Sequence, residues 1–85
     1  MILRPRKKRM DTVEELMAMA SRLAEKAGAV KVASCISKAI GSKTPTELLW
    51  ELTSQDPLFK HSYAGLALQQ AERELNIVNL ARQNP

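Results

Sequence analysis

The chain has 85 residues and a mass of 9.5 kDa, which allows one domain with one small core and excludes a deep cleft framed by two lobes. Apolar residues make up 45% and charged residues 26%, the balance of a folded globular chain rather than a disordered one. The formal charge is +4, yet residues 1–10 hold five basic side chains and no acid, and the remainder, with eight basic and nine acidic groups, is close to neutral.

The basic character therefore belongs to Arg4, Arg6, Lys7, Lys8 and Arg9. Five like charges in six residues repel one another and oppose helix formation. Residues 1–10 are expected to be a disordered basic arm, and residues 11–85 a single helical domain. Such an arm can lie along nucleic-acid phosphates, hold an acidic protein surface, or serve only as a solubilising extension.

Asp11-Thr12-Val13-Glu14 has the spacing of a capping box. Val13, Leu16, Met17, Ala20, Leu23, Ala24 and Ala27 then recur at the interval of one buried helical face, and Gly28 suits a left-handed C-terminal cap. A helix over 12–27 follows. A second is expected over 29–40, with Ala29, Ala33, Ile36 and Ile40 on one side, widened by Val32 and Ala39, and Gly41 as terminator. Cys35 lies at the rim of that face and reads as a small core residue. Lys31 and Lys38 fall opposite it, and from Lys26 to Lys43 there are four lysines and no acid. That side can extend the arm's footprint on phosphates, or be an exposed face that happens to lack carboxylates.

Thr44-Pro45-Thr46-Glu47 supplies an N-cap, a proline at the first helical position and a glutamate at the third, starting a helix over 45–54 with Leu48, Leu49 and Leu52. Trp50 stands well around this helix from the three leucines. It either covers a neighbouring helix or anchors an interface. Asp56-Pro57 ends the helix and opens a long last one over 57–82, in which Gly65 costs about 1 kcal/mol relative to alanine. Ala64, Ala67, Leu68, Ala71, Leu75 and Val78 form one stripe of it. Phe59, Tyr63, Leu66, Ile77, Leu80 and Ala81 lie on another side. A small core can cover the Phe59/Tyr63/Leu66 end, whereas Ile77 and Leu80 lie near the limit of earlier helices only about 24 Å long.

Short connections favour antiparallel neighbours. The expected fold is all-α, a compact bundle of about four helices with a long C-terminal helix. Leu16, Leu23, Ile36, Leu49, Leu68 and Leu75 should be buried in it.

Catalysis finds little support. There is no phosphate loop or GxGxxG motif. His61 is the only histidine and lacks a partner at metal-ligand spacing. Nothing marks Cys35 as activated, and Glu14–Glu15 and Glu72/Glu74 read as solvated helix faces. No catalytic residue, metal, cofactor or small-molecule substrate is expected. A single cysteine fits a reducing compartment. No apolar run reaches the roughly 20 residues of a membrane span, and no secretory core follows the basic segment, so a cytoplasmic protein is expected.

Residues 36–50 have the rhythm of a helix-turn-helix, but Ser42 and Pro45 do not suit its turn and Glu47 and Glu51 would face phosphates. The favoured reading is a protein-binding module (an adaptor, chaperone or regulator of another protein) acting through helix–helix contacts at Trp50, Ile77 and Leu80. Its partner is another protein or another copy, with the arm for an acidic surface. The alternative is a nucleic-acid-binding transcriptional regulator using the arm and the Lys31/Lys38 face.

Overall fold

A computed structural model describes residues 9–83, and the surroundings of the side chains from 12 to 81. Four α-helices follow one another: α1 Arg9–Lys26, α2 Val30–Ala39, α3 Pro45–Gln55 and α4 Tyr63–Gln83, with a 3₁₀ turn at Pro57–His61 between the last two. No strand occurs among the described residues. The expectation of a disordered arm falls on residues 1–8, outside the described residues.

The N-terminal boundary needs correction. α1 begins at Arg9 rather than residue 12, so Asp11 and Thr12 lie inside the helix and Arg9 and Met10 are not irregular. No glycine or proline interrupts the sequence from Arg6 to Ala27, and a helix continues past a potential cap when nothing breaks it. The other end follows expectation closely. The Ala29 N–H bonds the Ala24 carbonyl at 2.9 Å and the Gly28 N–H bonds the Glu25 carbonyl at 3.0 Å, the paired bonds of a Schellman turn. Gly28 has φ +86°, the left-handed conformation that glycine adopts without a Cβ clash.

α2 ends at Ala39 with Ile40 as its C-cap, and Gly41 just beyond has the same φ of +86°. There the Ser42 hydroxyl turns back toward the Lys38 and Ala39 carbonyls (3.3 and 3.2 Å), so this serine serves the helix end rather than a recognition turn. α3 starts on a complete capping box. The Glu47 N–H bonds Thr44 Oγ1 at 3.1 Å, and the Thr44 N–H bonds Glu47 Oε1 at 3.0 Å, with Pro45 buried behind them.

The fourth helix does not run from residue 57. Asp56 accepts the Leu58 N–H (3.1 Å) and closes a 3₁₀ turn, after which Ser62 starts α4 afresh. The Ser62 hydroxyl donates to the Phe59 carbonyl at 2.6 Å and accepts the Gly65 N–H at 3.0 Å, the N-cap role. The physical reason is the destination of Phe59. At 3.6 residues per turn a continuous helix would align Phe59 with Tyr63, Leu66 and Ile77 on one side. The break turns Phe59 inward, where it is buried, and leaves Tyr63 and Leu66 outside. The expectation that all three share the core is thus right only for Phe59.

α1 and α4 form the most extensive pair, α2 packs on α1, and α3 and the 3₁₀ turn pack on α4. Their shared core holds Val13, Met17, Ile36, Leu48 and Leu68, each essentially solvent-free. Alanines 20 and 24 of α1 and 64, 67 and 71 of α4 are also buried, and such small side chains let helices approach closely. Of the expected core, Ile36 and Leu68 are buried, while Leu16, Leu23, Leu49 and Leu75 are half-buried against its edge. In α1 the buried line runs through Val13, Met17, Ala20 and Ala24, and the leucines flank it. Two polar ties fix the layout: Ser21 Oγ donates to the Ala33 carbonyl (2.8 Å), and Thr46 Oγ1 to Glu72 Oε2 (2.9 Å).

Candidate interaction surface

α4 has two unlike faces. Ala64, Ala67, Leu68, Ala71 and Val78 are buried and Leu75 is half-buried along the side that meets the other helices. On the far side Ile77 and Leu80 are 41% and 59% exposed. The core stripe lies about half a turn around the helix from them, so neither can swing into it. Ala81 is exposed beside them, and Tyr63 and Leu66 extend the same side toward the helix start.

Trp50 is 71% exposed. Most of its surface faces solvent, so the expectation that it covers a neighbouring helix is not met. Its face of α3 also carries Ser54, whose hydroxyl bonds the Trp50 carbonyl at 2.8 Å. Val30 and Leu58 are further large exposed apolar side chains.

A second feature was not legible in the sequence. A cavity of about 410 Å³ opens where the end of α1 and the start of α2 meet the 3₁₀ turn. Leu23, Val32, Phe59 and Ala64 form its apolar wall, and His61 and Tyr63 stand at it. Cys35 is not among its lining residues. Among the described residues no group of three or more histidines, cysteines or acids is placed to hold a metal.

The basic candidates are dispersed. Lys31 and Lys38 are both exposed on the outer side of α2, but Lys38 shares a shallow hollow with Glu25. Lys43 is committed elsewhere: its ammonium donates to both carboxylate oxygens of Glu51 at 2.8 and 2.9 Å. That hydrogen-bonded carboxylate holds the Lys43 pKa above its ordinary value. Glu47 is occupied by the α3 cap. α2 and α3 touch only sparsely, whereas the two helices of a helix-turn-helix pack against each other across a tight turn. Arg4, Arg6, Lys7 and Lys8 lie outside the described residues, and Arg9 opens α1.

Fold and surface together define a small all-α bundle in which Tyr63, Leu66, Ile77 and Leu80 of α4 stay exposed among the described residues. No helix among the described residues is long and apolar enough to cross a membrane. Comparison with protein-family models, with curated proteins and with solved structures finds no match to this chain.

Proposed function

We propose that the chain is a non-enzymatic protein-binding module of the cytoplasm, an adaptor, chaperone or regulator of another protein, which docks through the outer face of α4. One observation carries this reading: Ile77 and Leu80 are exposed on the side of α4 turned away from the core. Single exposed leucines are ordinary on a protein surface, but apolar side chains recurring along one helix face are the form that helix–helix recognition takes. Residues 1–10 then supply a basic extension for an acidic region of the partner. The single Cys35 supports a reducing compartment.

The nucleic-acid reading has the exposed Lys31 and Lys38 in its favour. It ranks lower because Glu25 neighbours Lys38 and the α2–α3 pair lacks helix-turn-helix packing.

The test is capture from an extract of the source cell, with and without nuclease, using the native chain and the double variant Ile77→Glu/Leu80→Glu as baits. Circular dichroism first establishes that the variant keeps its helices. The proposal expects protein retained by the native chain after nuclease and lost by the variant, because burying an unpaired carboxylate opposes docking. Equal retention by both baits, or retention abolished by nuclease, overturns it.

A further inference from the structure

The exposed face of α4 has an internal order that narrows what can cover it. Tyr63, Leu66, Gln70, Arg73, Ile77 and Leu80 are all exposed, and their spacing alternates between three and four residues. That is the interval of the a and d positions of a coiled-coil seam, a line that stays on one side of a helix for its whole length. The two outer pairs are apolar and the middle pair is polar. Within the chain Arg73 Nη1 reaches Gln70 Oε1 at 3.5 Å, so the middle pair is a contiguous hydrogen-bonding patch.

The residue types read the same from either end: two apolar, two polar, two apolar. Resting on the helix-docking reading above, we infer that this face pairs with the same face of a second copy, antiparallel and centred between Gln70 and Arg73. Tyr63 then meets the other copy's Leu80, Leu66 meets its Ile77, and Gln70 meets its Arg73. Every apolar side chain finds an apolar one, and the guanidinium finds an amide oxygen.

Other arrangements of the same two faces fail on chemistry. A parallel pair in register places Arg73 against Arg73, a like-charge contact at the centre. An antiparallel pair slipped by seven residues either way sets Tyr63 and Leu66, or Ile77 and Leu80, against Gln70 and Arg73 of the other copy. Such mismatches bury polar groups against apolar ones without partners. The order of residues thus selects one orientation and one register, the function that a polar layer performs in coiled coils generally.

The area suits a weak dimer. Tyr63, Leu66, Ile77 and Leu80 are 76%, 49%, 41% and 59% exposed; at about 150–250 Å² for the aromatic side chain and about 60–120 Å² for each aliphatic one, they present roughly 200–370 Å² of apolar surface per copy. Two copies, with their polar centre and rim, fall below the roughly 1,200 Å² of stable specific interfaces, in the range of weak, transient ones. The expected association is weak and dependent on chain concentration.

Cysteine cross-linking tests orientation and register together. In a Cys35→Ser background, Leu66→Cys and Ile77→Cys are made separately. Each variant oxidised alone should give no cross-linked dimer, since the two copies of one position lie about 16 Å apart along the pair, beyond disulfide reach. An equimolar mixture should give a cross-linked heterodimer. Sedimentation of the native chain should show a dimer that Ile77→Glu/Leu80→Glu weakens about a hundredfold. Self-cross-linking of either single variant indicates a parallel pair and overturns the inference. A monomer at every concentration also overturns it. If the extract experiment still captures a partner through Ile77 and Leu80, the docking reading survives that failure. A dimer unaffected by the double glutamate variant places self-association on another surface and refutes the inference equally.

Discussion

Gly65→Ala should destabilise the protein although it replaces glycine by a better helix former. Gly65 stands in the first turn of α4 directly over the 3₁₀ turn. A Cβ there would overlap the Phe59 carbonyl oxygen and come within 2.8 Å of Lys60 Cα and 3.0 Å of its carbonyl carbon. These are backbone atoms and cannot rotate aside, so the turn as a whole must lift. Lifting it strains the hydrogen bond from Ser62 Oγ to the Phe59 carbonyl and the one from Gln69 Nε2 to the Lys60 carbonyl (2.7 Å), and withdraws Phe59 from the core. Withdrawal of a buried aromatic costs up to about 1.5–3 kcal/mol, and the two hydrogen bonds up to about 1 kcal/mol each. The gain in helix propensity returns about 1 kcal/mol. The expected net loss is about 2–4 kcal/mol, measured by urea denaturation followed by circular dichroism. A double-mutant cycle with Phe59→Ala identifies the cause, because Gly65→Ala should cost much less once Phe59 has been truncated. Stabilisation by about 1 kcal/mol would refute the close approach, and additive losses would refute the role given to Phe59.

Leu68→Ala removes a solvent-free side chain and should cost about 2–5 kcal/mol, clearly more than Leu23→Ala at the half-buried edge; equal shifts in denaturant midpoint would contradict the placement of the core. Thr53 Oγ1 is buried without a hydrogen-bond partner, so Thr53→Val should be neutral or stabilising by up to about 1 kcal/mol, and a marked loss by the same assay would reveal a partner for the hydroxyl. The Lys43–Glu51 pair predicts an alkaline signature. Because Glu51 raises the Lys43 pKa above 10.5, the pair's contribution is fully present below that pH and lost as pH rises through the raised value. Lys43→Met should abolish that step in stability measured between neutral and strongly alkaline pH, and an unchanged step would assign it to another group.

Much of this fold is legible in sequence because its signals are local. Thr44, Pro45 and Glu47 are complete within four residues, and Gly28 and Gly41 meet a backbone requirement that other residues satisfy poorly. The stripe from Ala64 to Val78 repeats often enough to fix its face. The break at Ser62 is not legible in this way. A serine followed by Tyr63-Ala64-Gly65 lacks the glutamate that strengthens a cap signal, and the apolar pattern runs across it. What decides the matter is tertiary: Phe59 gains burial only if the chain turns there. The same holds within α1, where two neighbouring helices set which line faces inward, and Val13, Met17, Ala20 and Ala24 win over Leu16 and Leu23. Ile77 and Leu80 are readable as misfits because they leave the stripe. Tyr63 and Leu66 are not, since a helix begun at residue 57 groups them with a buried phenylalanine.

The charge distribution and the apolar seam make opposite demands on salt, which separates the two ways this chain can hold a partner. Contacts made by Arg4, Arg6, Lys7, Lys8 and Arg9 to phosphates release counterions, and log K for duplex DNA falls by about 0.9 per phosphate neutralised for each decade of salt. Contacts to an acidic protein surface are screened over a Debye length of about 8 Å at physiological ionic strength. Burial of Tyr63, Leu66, Ile77 and Leu80 has no such dependence and is strengthened by excluded salts such as sulfate. The folded body adds little to the electrostatic side, because Lys43 is neutralised by Glu51 and Lys38 is bordered by Glu25. A complex that survives high sulfate therefore rests on apolar contact, and its weakening by Ile77→Glu/Leu80→Glu would assign it to α4. One that dissolves there belongs to the basic segment, and its loss leaves the self-pairing of α4 as a separate equilibrium.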